Sequence, residues 1–428
     1  MEDRLLEKFF EPERWQDALN KGSMKGINRA VLRDFMSPNG RKKLLASLLS
    51  GEYHIKRPHT ALIPKDTSGE FREVFINEDY DRIFLSLVND MLFELAGDMI
   101  HPSCMSYQKG IGCAKIVKQI SEKIGKLNNH EIIGWKADFS KYFDSVPIEY
   151  IDAAFDVIEQ RFGKSVIIDV VREYYHNNNY YDSKAKCEVT KYQSLKQGCA
   201  VASWLANVVL YQLDKRLSSL GDNYVRYSDD TLYIGSHYKE AMQIMIEELS
   251  KMQMKLNPKK VEYLTNDRWF TFLGFSICGS KISLSRNRTK TFVKEVITRT
   301  IKRIRKGIKY KTALHSLQSW LYCGEYSWAV GVLKTINVKS DINRLNGFIM
   351  DCLRAVIIGK SVNMNHIGGL GWSKENKNGC ILRGKGSKVK TLRNKTNTNL
   401  EGYYSLGCMR NSLLYSRELF DSIIRDFG

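Results

Sequence analysis

Three acidic residues stand where their type and spacing could do chemistry. Asp138 closes the run Glu131-Ile-Ile-Gly-Trp-Lys-Ala-Asp138, which reads as a buried strand ending in an acid. Asp229 and Asp230 sit between Tyr224-Val-Arg-Tyr-Ser and Thr231-Leu-Tyr-Ile-Gly235, two short strands with the acids at the turn. Carboxylates at strand ends converge if the strands are neighbours. Such a cluster suits two Mg²⁺ ions roughly 3.5–4 Å apart, because hard divalent cations take oxygen ligands. One ion would lower the pKa of an attacking 3′-hydroxyl. The other would neutralise a triphosphate and its departing pyrophosphate. Phosphoryl transfer asks mainly for positioning and charge stabilisation, which the cluster supplies. Asp-Asp alone in a hairpin is more often turn chemistry, so the surrounding elements decide.

Residues 1 to about 55 read as helical, with Leu5, Phe9, Trp15, Ala18 and Leu19 followed by Ala30-Val-Leu32 and Leu44-Leu-Ala-Ser-Leu-Leu49. Thr60-Ala-Leu-Ile-Pro-Lys65 and Phe71-Arg-Glu-Val-Phe-Ile76 are strand-like, joined by a turn at Lys65-Asp-Thr-Ser-Gly-Glu70. Helical spacing predicts helices over Asp81 to Met99, 148–176, Ala200 to Leu217 and 238–253, and the stretch Trp269 to Leu284 is hairpin-like. Strands alternating with helices predict an α/β or α+β core from about 56 to 284.

The chain has 428 residues, 43% apolar or aromatic and 26% charged, which excludes wholesale disorder and a collagen-like chain. Lys and Arg total 66 against 47 Asp and Glu, a net charge of +19 that calls for a polyanionic partner. No run of roughly 18 apolar residues could span a bilayer, and the N-terminus lacks the apolar stretch of a signal peptide. Nine scattered cysteines without a Cys-x-x-Cys pair argue against a disulfide framework or a zinc ribbon. A reduced cytoplasmic location is expected. Nucleic acid is the favoured polyanion, and no membrane partner is expected.

Between Lys281 and Lys309 stand eleven Lys or Arg and one Glu, with Val293, Val296, Ile297, Ile301, Ile304 and Ile308 at helical spacing. This predicts one amphipathic basic helix from about Thr289 to Ile308. Gly368 to Asn399 is rich in Gly, Lys, Asn and Ser, with Lys374, Lys377, Arg383, Lys385, Lys388, Lys390, Arg393 and Lys395 against Glu375. It reads either as an RNA-binding segment or as a basic connector. For Trp372, Tyr403 and Tyr404 a core role is expected over base stacking.

Taken in order, these elements resemble the reverse transcriptases over roughly residues 56 to 284. Tyr227-Ser228-Asp229-Asp230 matches their Tyr-x-Asp-Asp signature, and Ala137-Asp138-Phe139-Ser140-Lys141-Tyr142-Phe143-Asp144 their first acidic motif. Gln197-Gly198 before a helix is similar to their template-contacting motif, with Lys196 in place of the usual proline. Leu256-Asn257-Pro258-Lys259-Lys260 and Phe272-Leu273-Gly274-Phe275 match the next two elements. Ser106-Tyr107-Gln108-Lys109-Gly110 resembles the Ser-Tyr-Gly-Phe-Arg block of the group II intron and retron-like branch, departing at Gln108 and Lys109.

The resemblance implies an α+β right-hand polymerase fold, with a helical thumb and a small basic C-terminal domain. The expected boundaries are a helical extension over 1–55, fingers and palm over 56–284, thumb over 285–350 and basic domain over 351–428. It implies that Asp138 and Asp229 ligate two Mg²⁺ ions, with Mn²⁺ as a substitute. Asp230 would support the second ion or the primer end, and Phe139 would offer its backbone carbonyl. Lys65 and Arg72 would grip the triphosphate, Arg as a planar fork and Lys as a point charge. Phe143 would pack under the sugar and clash with a 2′-hydroxyl, favouring dNTPs. Gln197 and Gly198 would lie against nucleotide and template, with Gly permitting close backbone approach. Lys259 or Lys260 would protonate pyrophosphate. Arg299, Lys302, Arg303, Arg305 and Lys306 would contact phosphates of the template–primer duplex.

The chain carries no His-Asn-His nuclease segment and no RNase H signature. Its architecture resembles the unknown-group, defence-associated bacterial enzymes, and among them type 2. That implies a cDNA made from a partner non-coding RNA in antiphage immunity. Three alternatives stay open. One is a retron-type enzyme, although the Val-Thr-Gly block is not found. Another is a template-independent abortive-infection polymerase that keeps the same acids. The third is an inactive RNA-binding scaffold, which the presence of all three acids disfavours.

Overall fold

The apolar spacing of the first fifty residues folds as four short helices, Arg4–Phe9, Pro12–Leu19, Arg29–Met36 and Pro38–Leu49. The computed structural model describes residues 3–19, 24, 26–65, 70–127, 132–325, 327–372, 380–396, 400–425 and 427. They form two compact units, Met1–Ile111 with Gly134–Tyr263, and Gly112–Ile133 with Leu264–Gly428. Among the described residues no helix is long and apolar enough to cross a membrane.

In the first unit Trp15 is fully buried, stacks on Phe35 at 5.1 Å and donates Nε1–H to the Phe9 carbonyl at 2.7 Å. That aromatic cluster seats the N-terminal helices in one core with Phe84 of the helix Asp79–Leu95. The strands are β1 (His59–Lys65), β2 (Glu70–Ile76), β3 (Ile132–Asp138), β4 (Asn179–Asp182), β5 (Cys187–Thr190), β6 (Asn223–Tyr227) and β7 (Asp230–Ile234), and β8 (Glu262–Thr265) begins here. One sheet runs β2-β1-β4-β5, the other β6-β7-β3-β8. The expected turn between β1 and β2 falls largely on 66–69, outside the described residues.

Two expected helices divide. The 148–176 stretch forms Ile148–Phe162 and Val166–His176, the second capped by the Ser165 hydroxyl on Ile167 N–H. The Ala200 to Leu217 stretch forms Ala202–Val208 and Tyr211–Ser218. Its break has an identifiable cause. The carbonyls of Ala206 and Asn207 would each accept an amide one turn on, but the Arg226 guanidinium takes both, at 3.0 and 2.8 Å.

In the second unit β9 (Phe270–Phe272), β10 (Phe275–Cys278) and β11 (Lys281–Leu284) form one sheet, flanked by the helix Cys113–Ile124. The single basic helix expected from Thr289 to Ile308 is corrected: an α-helix ends at Arg299 and a 3-10 helix, Ile301–Lys306, follows. The buried Thr300 hydroxyl donates to the Val296 carbonyl at 2.6 Å, while its N–H moves to the Ile297 carbonyl at 3.3 Å. Hydroxyl back-bonding of this kind tightens the following turn. The helices Tyr310–Tyr322 and Lys339–Ile358 follow.

The described part of 368–399 folds as β12 (Leu370–Trp372), β13 (Ile381–Arg383) and the helix Val389–Lys395, while Lys374, Glu375 and Lys377 lie outside the described residues. Trp372 packs with Trp269, Val338 and Cys380, and its Nε1–H donates to the Leu284 carbonyl at 3.1 Å. Tyr403 donates its hydroxyl to Asn346 at 2.8 Å, and Tyr404 N–H donates to Gln318 at 3.1 Å.

Candidate active site

Strand register brings the acids together. β3 and β7 pair antiparallel with Asp138 opposite Asp230, so their side chains share one face with Cα atoms about 4.5–5.5 Å apart. Ser228 and Asp229 form the two-residue turn between β6 and β7, flanked by the pair Tyr227 and Asp230. Ser228 has φ +59°, a left-handed conformation that costs an L-residue about 1–2 kcal/mol. Phe139 N–H donates to the Asp229 carbonyl at 3.3 Å, fixing the turn beside the end of β3.

Three sets of contacts hold that strained turn. Ser228 N–H donates to the Ser106 hydroxyl at 3.0 Å, and Ser106 in turn donates to Asn207 at 2.6 Å. Arg226, fully buried, forms an ion pair with the equally buried Asp214 and also donates to the Ser228 carbonyl at 3.3 Å. On the other side, Leu256 bridges Phe139, Ser140 N–H donates to the Lys255 carbonyl at 2.8 Å, and Asn257 N–H donates to the Asp138 carbonyl at 2.8 Å. The stretch Leu256 to Lys260 is therefore laid along the end of β3. Its short 3-10 turn, Pro258–Lys260, directs Lys260 Nζ to Asp138 Oδ2 at 2.7 Å. The Asn257 side chain caps this turn, accepting the backbone N–H of Lys259 at 3.2 Å.

The electrostatics follow from this crowding. Burial and the charge of Asp138 push the Asp229 carboxyl up. Burial, Asp229 and Asp138 push Asp230 up to about 6. Burial pulls Lys260 down, but its bond to Asp138 and the charges of all three acids raise it overall. Among the described residues no three His, Cys, Asp or Glu side chains stand as a ready-made metal cage. The donor set nevertheless suits hard divalent cations. It offers three carboxylates, two of them destabilised by burial and like charge, a penalty that a cation relieves.

The other sequence-predicted residues fall in two groups. In the first unit, the half-buried Phe143 packs edge-on against Tyr142 at 5.5 Å, and its carbonyl accepts Leu195 N–H at 3.1 Å. The Gln197 carbonyl accepts Phe75 N–H at 2.7 Å. Gly198 has φ +114°, and a Cβ there would meet the Phe75 carbonyl oxygen at 2.5 Å. Gly198→Ala is expected to lower stability by about 1–3 kcal/mol, read as a fall in the urea midpoint. Arg72 lies on β2 opposite Ile63, and its charge acts on Asp229. Lys65 pairs with Glu70 at 3.8 Å.

The basic residues of the second unit form the other group. Arg299 is engaged by Glu295 and lies over the Trp320 ring at 5.1 Å. Lys302, Arg303, Arg305 and Lys306 are exposed on the 3-10 helix around buried Ile304.

Sequence reasoning missed Arg226, Asp214 and Asn207 beneath the turn, and it gave Lys196 no role. Lys196 is 1% exposed and donates from Nζ to the carbonyls of Tyr174 and Asn177, each at 2.6 Å. Burial pulls its amine down to about 8. Its φ of +49° is one that proline cannot adopt, so the departure from the family's usual proline goes with a different backbone.

The sequence model described as reverse transcriptase (RNA-dependent DNA polymerase) matches residues 63–277, half of the chain. No curated protein matches the sequence. Among solved structures, apo telomerase from Candida tropicalis truncated from its C-terminal domain aligns with TM-score 0.40 and 16% identity, over 54% of this chain and 55% of that one. The apo telomerase of the same species aligns with TM-score 0.44 and 13% identity, over 86% of this chain and 68% of that one. Telomerase from Candida albicans with a fragment of telomeric RNA gives 0.44 and 13%, over 76% and 61%. The chain spans about half the length of the first of these. Both acidic motifs, Gln197-Gly198 and the Leu256 to Lys260 stretch all lie inside the family match; the chain belongs to the reverse transcriptase (RNA-dependent DNA polymerase) family and has its α+β right-hand polymerase fold.

Proposed function

We propose that the chain copies RNA into DNA by two-metal nucleotidyl transfer, making cDNA from a partner non-coding RNA in bacterial antiphage defence. The observation that carries the polymerase reading is the register of Asp138 against Asp230, with Asp229 in the adjoining turn. Reverse transcriptase domains generally use divalent metal ions. Here Asp138, Asp229 and the Phe139 carbonyl would hold them, with Asp230 in support. Bound ions would supply the charge that makes a 3′-hydroxyl nucleophilic and neutralises a triphosphate.

The chain's own residues do the rest. Arg72 and Lys65 bind the triphosphate from the β1–β2 hairpin. Lys260 stays protonated beside the acids and gives a proton to the departing pyrophosphate. Gly198 lets the backbone close on the nucleotide, and Gln197 orients it against the template. Phe143 excludes the 2′-hydroxyl. Lys302, Arg303, Arg305 and Lys306 bind backbone phosphates, and the net charge of +19 favours a nucleic-acid partner.

Two measurements test this. Purified protein should incorporate dNTPs on an RNA template only with Mg²⁺ or Mn²⁺, and no incorporation on any template–primer would leave an RNA-binding scaffold. RNA and cDNA recovered with the protein from its native operon should match one non-coding RNA. For the sugar gate, Phe143→Ala should lower the preference for dNTPs over rNTPs by roughly 10²-fold. An unchanged preference would remove Phe143 from that role.

A further inference from the structure

Among the described residues, the C-terminal part of the second unit gathers several arginines around one buried acid. Asp351, fully buried on the helix Lys339–Ile358, accepts from three arginines. Arg354 Nη1 lies at 2.9 Å, Arg383 Nη2 at 2.8 Å, and Arg393 Nε and Nη2 at 3.3 and 3.2 Å. One carboxylate does not balance the two guanidiniums of Arg383 and Arg393. Among the described residues, the other acceptors of Arg383 are neutral carbonyls, those of Ile367, Gly368 and Gly369. Charge held in a partly buried network without a counter-charge is costly, and an anion that completes the network binds correspondingly well.

A cavity of about 420 Å³ opens on this excess. Its wall is formed by Arg383, Lys385, Lys390 and Arg393, with Gly384, Gly386, Val389 and Asn394, and among the described residues no acid lines it. The loop at its mouth is pinned. Gly384 N–H donates to the Gly369 carbonyl at 2.9 Å, Ser387 N–H to Asn365 at 3.0 Å and Lys388 N–H to His366 at 3.1 Å. A Cβ at Gly386 would meet the His366 carbonyl at 2.5 Å, so bare backbone forms part of the wall. Asp351 thus orients two arginines from beneath, while two exposed lysines stand at the rim.

We infer that this cavity, built from residues of the second unit alone, is a binding site for backbone phosphates of the RNA strand. The inference rests on the RNA-copying reading for the identity of the strand. Arg383 and Arg393 present planar forks to the phosphate oxygens, and Lys385 and Lys390 add point charges. Contacts of this kind position a strand without reading its sequence.

The test uses the full chain and a short single-stranded RNA, with the dissociation constant measured across a salt series. Lys385→Gln/Lys390→Gln/Arg393→Gln should reduce the slope of log affinity against log salt by about 2, from three contacts at about 0.7 each. If Arg393→Gln loosens its helix, the exposed pair Lys385→Gln/Lys390→Gln should still reduce it by about 1.4. The control, Lys42→Gln/Lys43→Gln/Lys164→Gln, removes the same charge elsewhere and should change the slope much less. An equal change in the control would overturn the site, as would an unchanged slope in the pocket variants. The RNA is used with a 5′-hydroxyl and with a 5′-triphosphate. A difference confined to the triphosphate form would also overturn the backbone assignment. Incorporation of dNTPs by the unsubstituted protein, run on the same preparation, tests the polymerase reading separately.

Discussion

Asp229→Asn should abolish DNA synthesis while making the protein more stable. Losing a carboxylate from the trio should lower dNTP incorporation at least about 10³-fold, more than the loss of one neutral transition-state donor. Stability moves the other way, because ionised Asp229 sits half-buried beside Asp138 and Asp230, and its carboxyl is pushed up by burial and by that charge. An amide of the same shape removes the repulsion. Asp230→Asn should behave alike, and its pH dependence has a definite sign. The Asp230 carboxyl rises from 3.8 to about 6 on folding. Between those values the folded state binds more protons than the unfolded state, so this group's contribution to stability falls as pH rises. The penalty is complete above about 6, on the order of 1–3 kcal/mol. The gain in melting temperature of Asp230→Asn, measured in EDTA, should therefore be larger at pH 7.5 than at pH 5.

Asp138→Asn separates the two effects. It should also silence synthesis, but it strips Lys260 of its partner at 2.7 Å, so its stability gain should be the smallest of the three. Added Mg²⁺ should raise the melting temperature of the unsubstituted protein, because a ligand of the folded state alone stabilises it. It should not raise that of Asp138→Asn. A Mg²⁺ shift that survives in all three variants would place the ions elsewhere.

The acids were legible in the sequence because strand ends and a turn leave local signals: an apolar run, a polar pair, and another apolar run. What holds them was not legible. Arg226 lies in a strand, where an alternating pattern assigns a charged residue to solvent. Its burial depends on Asp214, which belongs to a helix that spacing alone draws as continuous through Leu217. Ser106 could be quoted as part of a motif, but its hydrogen bond to Ser228 spans 122 positions and no local pattern predicts it. The hairpin of β4 and β5 escaped for another reason. Asn179-Tyr-Tyr-Asp182 and Cys187-Glu-Val-Thr190 are too short and polar to show a period, and they exist because β1 offers an edge to β4. The basic helix after Arg286 had the right period, yet the Thr300 hydroxyl redirected one carbonyl and turned its second half into a 3-10 helix.

Arg226→Met should cost about 3–5 kcal/mol of stability, because it leaves Asp214 charged, fully buried and without its ion pair. The guanidinium spends all five of its N–H donors. Nε and Nη2 hold Asp214 at 2.8 and 2.6 Å, Nη1 reaches the carbonyls of Ala206 and Ser228 at 3.0 and 3.3 Å, and Nη2 also reaches Asn207 at 2.8 Å. Arg226→Lys has three donors on a compact head and should restore only part of the loss. Asp214→Leu should cost a similar amount by stranding the arginine. The double variant Arg226→Met/Asp214→Leu should lose much less than the sum, since it removes both charges together. It should still fall short of the unsubstituted protein, because the Asn207 carbonyl loses its guanidinium donor, whereas the Ala206 carbonyl keeps the Tyr142 hydroxyl at 2.6 Å. Chemical denaturation of the four proteins measures the coupling, and strict additivity would show that the pair does not act as a unit. Catalysis supplies the second readout. With Arg226 gone the Ser228 carbonyl loses its anchor, and a turn already at φ +59° no longer aims Asp229. Dissolution of that aim should lower kcat far more than it raises the KM for dNTPs, since the β1–β2 hairpin that carries Lys65 and Arg72 does not touch Arg226 through any of these bonds. A loss expressed mainly in KM would mean that Arg226 acts on the nucleotide pocket and not on the acids.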